Sequence, residues 1–116
     1  MIVADARPII AFARIGRLAL LQQVVGELIA PDAVYEELVV QGGDRPGAEE
    51  VRRGGGMQRH TLRHRQGLAH LPRSLAQGER EAIILAEEAG VPLLVDERKA
   101  RDAAAQRGIE VIGSLW

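Results

Sequence analysis

Short apolar runs alternate with helix-like segments along this chain, and that alternation limits the fold more than any other feature. Ile2-Val3-Ala4, Leu28-Ile29-Ala30, Pro92-Leu93-Leu94-Val95 and Val111-Ile112 lack the polar–apolar alternation of a strand with one face in water. They read as strands buried on both faces. A helix is expected after Asp5, with Pro8 in its first turn and a break near Gly16. Leu18 to Val25 has an amphipathic helical pattern closed by Gly26. Pro31-Asp32 opens another helix, with Asp32 as its expected N-cap, ending by Gly42-Gly43. Glu79 to Ala89 and Glu97 to Arg107 are helical, stopped by Gly90 and Gly108. Buried strands separated by helices predict a mainly parallel sheet covered on both sides, a three-layer α/β/α sandwich.

The middle of the chain is less decided. A short helix is expected from Pro46 to the Gly54-Gly55-Gly56 triplet, a polar strand from Met57 to Leu62, and irregular structure from Gly67 to Gln77. The 116 residues fit one domain, and with 47% apolar residues but only Phe12, Tyr35 and Trp116 as aromatics the core must be aliphatic. The last strand is followed closely by Trp116, where a doubly wound domain ordinarily continues into a covering helix. A truncated C-terminus, or a partner covering that edge, is therefore expected. There is no cysteine, which excludes disulfides and thiolate metal sites and suits a cytoplasmic location. No run approaches the roughly 20 apolar residues of a membrane span, and no signal peptide is evident. A net charge of −1 predicts no strong whole-molecule attraction to nucleic acid. The segment from Arg45 to Arg73 nevertheless holds seven Arg and three His against two acids.

Chemistry is indicated by position. Two apolar strands each end in a carboxylate, Asp5 and Asp96. Parallel sheets build their sites beyond the carboxyl ends of the strands, so these two acids share a crevice if the strands are neighbours. The competing reading makes each a helix N-cap. Glu37 lies mid-helix, with Glu36 about 100° away around the axis. Glu79 and Glu81 begin a helix, where acids also complement the helix dipole, and Glu97 adjoins Asp96. If these carboxylates converge they cannot all stay ionised without compensation. A hard divalent cation with oxygen ligands resolves this, activates water and polarises a phosphoryl oxygen. Such a site cuts phosphodiesters without a Ser, Cys or His nucleophile.

Other motifs carry less. Gly54-Gly55-Gly56 follows no strand and lacks the Lys-Ser/Thr pair of a P-loop. His60-x3-His64 has a helical metal-ligand spacing in Arg-rich surroundings that disfavour zinc. The Arg/His stretch from 52 to 73, and Arg98, Lys99 and Arg101 after Asp96, are either solvated surface or phosphate contacts.

Taken in order, Val3-Ala4-Asp5-Ala6-Arg7-Pro8-Ile9-Ile10, Pro31-Asp32-Ala33-Val34-Tyr35-Glu36-Glu37-Leu38, Gly78-Glu79-Arg80-Glu81-Ala82-Ile83-Ile84-Leu85-Ala86, Leu93 to Arg101 and Val111 to Leu115 resemble the successive acidic segments of PIN domains. The closest similarity is to an uncharacterised prokaryotic branch like the toxins of toxin–antitoxin pairs. The resemblance implies a Mg²⁺- or Mn²⁺-dependent endoribonuclease, with an antitoxin protein or a second copy of the chain as partners. By motif position it makes Asp5 and Asp96 metal ligands, Glu37 the second acid and Glu81 the third. Glu79 and Glu97 are further candidates, and Arg7, Arg98, Lys99 and Arg101 are nucleic-acid contacts. Arg7 departs from the small polar residue usual there; its guanidinium competes with a cation or binds phosphate. Two rivals follow: a degenerate module that binds RNA or protein without cutting, and a phosphoacceptor domain, ranked last because no Lys lies on a late strand.

Overall fold

The computed structural model describes residues 1–39 and 57–113. Its strands are β1 (Ile2–Ala4), β2 (Leu28–Pro31), β3 (Met57–His60), β4 (Leu93–Leu94) and β5 (Val111–Ile112). Its α-helices are α1 (Ala6–Arg14), α2 (Leu18–Val25), α3 (Asp32–Val39), α4 (Gln77–Ala89) and α5 (Arg98–Gln106), with a 3-10 turn at Gln66–His70. The five strands form one wholly parallel sheet in the order β3-β2-β1-β4-β5.

Burial follows strand position. Every residue of β1, β2 and β4 is buried, because helices cover both faces of the middle of the sheet. The flanking strands are half-buried. In β3 only Met57 is buried, while Gln58 and Arg59 reach solvent, which explains how so polar a segment joins the sheet at its edge. The core is aliphatic as expected, with Ile9, Ile29, Val34, Ile83, Leu93 and Val95 fully enclosed.

Helix α4 packs against β1, β2 and β4 as well as α3 and α5, and so acts as the central beam of the domain. Its residues from Ala82 to Ala86 are all buried. It starts at Gln77, two residues earlier than the sequence pattern indicates. The Glu79 carboxylate reaches back to accept the Ala76 N–H at 2.9 Å, satisfying a donor that the first turn leaves open. Its end is set by Gly90, whose left-handed backbone (φ 66°) lets the Gly90 N–H close on the Ala86 carbonyl at 2.9 Å.

Three local expectations are corrected. Asp32 does not cap α3 but lies in its first turn, since β2 runs on to Pro31; Asp32 Oδ1 accepts from Arg59 Nε at 2.7 Å and from Thr61 Oγ1 at 3.2 Å. Asp96 does not cap α5. Glu97 does, its side chain accepting the Ala100 N–H at 2.9 Å. Asp5 occupies the N-cap position of α1 by its backbone, but its side chain makes no capping bond to the helix. The expected helix end at Gly42-Gly43 and the expected helix from Pro46 to Gly56 lie outside the described residues.

Candidate metal centre

The strand order has one reversal. From β1 the chain proceeds outward through β2 to β3, then returns to the other side of β1 for β4 and β5. The reversal lies between β1 and β4, which is where open parallel sheets present a crevice at their carboxyl ends. Val3 pairs with Leu93 and Ala4 with Leu94, and the Asp5 N–H donates to the Leu94 carbonyl at 3.0 Å. Asp5 and Asp96 therefore emerge from adjacent strand ends at that reversal, as their positions in the sequence imply for neighbouring strands.

Asp5 is 5% exposed. Burial is the main reason its carboxyl is pushed up from 3.8 to about 7. The Ala6 N–H opposes the rise, the charges of Glu79 and Glu37 add to it, and Arg7 opposes it least of all. Three points follow. Glu79 and Glu37 are the acids that crowd Asp5 most. The Arg7 guanidinium, exposed to solvent, does not neutralise Asp5. And a divalent cation beside Asp5 would offset both its burial and the two like charges.

Gly78 lies at this junction. A Cβ there would stand at an ordinary 3.7 Å from Asp5 Oδ1 but at a tight 3.2 Å from Val34 Cγ2, so the bare backbone in the first turn of α4 eases its approach to α3 beside the end of β1. The partly positive helix end faces the acid.

Glu81 is placed differently from Glu79. Its Oε1 accepts the Ala33 N–H at 3.2 Å, and its Oε2 accepts from Gln77 Nε2 at 2.7 Å and lies 3.5 Å from Arg65 Nη2. These bonds tie α4 to the start of α3, the helix that carries Glu37. Gln77, Arg65 and the Ala33 amide were not identified from the sequence; only the poor helix former Gly78 inside a first turn hints at a crowded junction there.

The remaining candidates differ in their surroundings. Glu97 holds its charge readily, its carboxyl lowered first by the Ala100 N–H and further by Lys99 and Arg7. Arg98, Lys99 and Arg101 are exposed on α5. The described part of the basic stretch is largely tied down: Arg59 pairs with Asp32 and stacks over Tyr35 at 5.3 Å, Arg65 meets Glu81, and the amides of Arg63 and His64 donate to Glu88. His60 ends β3 and His64 follows it, so the two share no helix face.

Among the described residues, no three acidic or imidazole groups already stand around a single point. The donors in the crevice are nonetheless all carboxylate oxygens, with Asp5 deprived of solvent and crowded by charge. Their chemistry fits a hard divalent ion and not a soft one.

A parallel α/β domain with an acidic crevice at its strand reversal is the architecture defined so far. Residues 1–116 match the family DUF3368, a PIN domain. The chain belongs to that family, and PIN domains are typically nucleases that use divalent metal ions. Two solved structures share the fold. A PilT N-terminus domain protein from the hyperthermophilic archaeon Sulfolobus solfataricus P2 matches with a TM-score of 0.65 at 19% identity, over 98% of this chain and 87% of that one. A domain of a functionally unknown protein from Methanocaldococcus jannaschii DSM 2661 matches with a TM-score of 0.63 at 20% identity, over 97% and 89%. No curated protein matches the chain. No helix among the described residues is long and apolar enough to cross a membrane.

Proposed function

We propose that this PIN domain is a metal-dependent endoribonuclease, hydrolysing RNA phosphodiesters in the crevice between the ends of β1 and β4. The observation that carries the reading is the burial of Asp5 beside Glu37 and Glu79 at the strand reversal. Asp5, Glu37 and Glu79 would hold Mg²⁺ or Mn²⁺, with Asp96 at the neighbouring strand end. Glu81, first in line by its place in the motif, has the role of holding α3 and α4 together beneath them. When bound, the ion lowers the pKa of water and polarises a phosphoryl oxygen. The chain's own part is to keep Asp5 dry, so that its charge is offset by a ligand and not by solvent. Arg7, Arg98, Lys99 and Arg101, all exposed, would contact the strand's phosphates. The partners proposed on the motif resemblance are an antitoxin protein that holds the nuclease inactive and a second copy of the chain, in the cytoplasm.

Incubation of the purified protein with single-stranded RNA and Mn²⁺ tests this. Cleavage that EDTA abolishes is expected. Cleavage that survives the double change Asp5→Asn and Asp96→Asn would refute the mechanism. One observation favours a second reading, a domain that binds RNA without cutting it: among the described residues no three acids already surround one point. That reading predicts RNA binding with no Mn²⁺ uptake in calorimetry.

A further inference from the structure

We propose that the cavity between the 3-10 turn Gln66–His70 and helix α4 is a phosphate-binding pocket that seats a nucleic-acid strand beside the acidic crevice. The choice of nucleic acid as the source of the phosphate rests on the ribonuclease reading above; the anion chemistry does not. The cavity has a volume of about 430 Å³ and is lined by Leu68, Ala69, Leu71, Arg73 and Arg80. That places it at the small end of the usual range for ligand sites. Two of its five lining residues are arginines and none is acidic, so the pocket itself carries positive charge with nothing in its wall to balance it.

Arg80 holds the decisive detail. Its Nη2 donates to Gln77 Oε1 at 2.9 Å, while its Nε is closed off from solvent and meets no acceptor among the described residues. A buried guanidinium donor left unpaired is an unfavourable state that native structures rarely keep without a use for it. Turning this side chain toward the cavity gives up one hydrogen bond to an uncharged amide oxygen and offers Nε a charged acceptor once an anion is present. A neutral ligand would leave the donor and the charge uncompensated, and a cation would be repelled. Arginine offers parallel donors that match the oxygens of a phosphate, and Arg73 on the rim supplies a second set from another direction. The apolar part of the wall, Leu68, Ala69 and Leu71, suits a sugar or base attached to that phosphate. Arg80 also stands between Glu79 and Glu81 in sequence, so the pocket opens from the same first turns of α4 that carry those acids. Through Gln77, which bonds both Arg80 and Glu81, the pocket and the α3–α4 tie are joined in one network.

The test is fluorescence anisotropy of a short labelled single-stranded RNA in EDTA, where nothing is cut, on the full chain. Arg80→Met and Arg73→Met are each expected to weaken binding roughly tenfold. Each should also make the salt dependence shallower by about 0.7 in log–log slope, the value for one phosphate contact on a single strand. Millimolar inorganic phosphate should compete with the RNA in the wild type, and less so in Arg80→Met. Thermal melting checks that the variants fold; Arg73 is exposed on the rim, so its variant decides the matter if Arg80→Met does not fold. Wild-type affinity and slope in the folded variants would overturn the proposal. Competition by phosphate with no change in RNA affinity on either substitution would overturn the nucleic-acid source. A wild type that cuts no RNA but binds it in an Arg80-dependent way would defeat the nuclease reading and leave the pocket standing.

Discussion

Asp5 and Gly78 face each other where the end of β1 meets the first turn of α4: a Cβ on Gly78 would stand 3.7 Å from Asp5 Oδ1. The buried carboxylate at the strand end thus lies against the positive end of the longest helix described, and a methyl on Gly78 would touch it at ordinary contact distance while crowding Val34. The first prediction concerns that contact. Gly78→Ala gains up to about 1 kcal/mol of helix propensity. The new methyl meets the fully buried Val34 at 3.2 Å, and overpacking of this kind costs about 1–3 kcal/mol. A net loss of about 1 kcal/mol is expected in urea unfolding, with weaker Mn²⁺ uptake because α4 is pushed away from α3, the helix that carries Glu37.

Asp5→Asn should stabilise the metal-free protein above neutral pH. The folded Asp5 carboxyl titrates at about 7 against 3.8 ordinarily, so between those values the folded state holds a proton that the unfolded state has released. Stability therefore falls as pH rises from about 4 to about 7 and the penalty is complete above that. The shift corresponds to at most about 4 kcal/mol, less after local relaxation. The difference in unfolding free energy between Asp5→Asn and wild type is expected to grow across that window and then level off. A pH-independent difference would show that Asp5 is not the titrating group.

Glu79→Gln separates charge from structure at one position. Glutamine keeps an oxygen for the Ala76 N–H but removes the like charge that acts more strongly on Asp5 than Glu37 does. Carbon-13 carboxyl titration should show the Asp5 pKa falling below its wild-type value of about 7. An unchanged Asp5 titration would mean that the two groups do not share a crevice.

Glu81→Ala should act on stability. It leaves the Ala33 N–H and the Gln77 side chain without their acceptor at the α3–α4 junction. A loss of about 1–3 kcal/mol is expected for unpaired groups in such a place. Glu81→Gln should lose less, since one oxygen remains for Ala33. Equal melting temperatures for wild type and Glu81→Ala would contradict the tie.

Much of the fold was legible because the middle strands are buried on both faces and must be written as unbroken apolar runs, as in Ile2-Val3-Ala4 and Leu93-Leu94-Val95. The edge strand Met57–His60 was faint for the opposite reason: half of it faces water and its partner is distant in sequence. The strand-end positions of Asp5 and Asp96 could be read, since a carboxylate that stops an apolar run is visible without any structure. The distinction between Glu79 and Glu81 could not. They lie two residues apart on one helix, about 200° around its axis. Which of them turns toward Asp5, and which toward the Ala33 amide, depends on how α3 and α4 pack. Asp32 misled because a favoured N-cap residue instead found Arg59 on the neighbouring edge strand and Thr61 just past its end.

The central claim is that the carboxylates around Asp5 share a divalent cation. Anomalous diffraction from crystals soaked in Mn²⁺ tests it most directly. A manganese peak within about 2.0–2.3 Å of an Asp5 oxygen is predicted, at ordinary oxygen–metal contact distance, with Glu37 or Glu79 completing the protein ligands. A fully soaked crystal with manganese bound only elsewhere, or with Asp5 facing an empty crevice, would contradict the account.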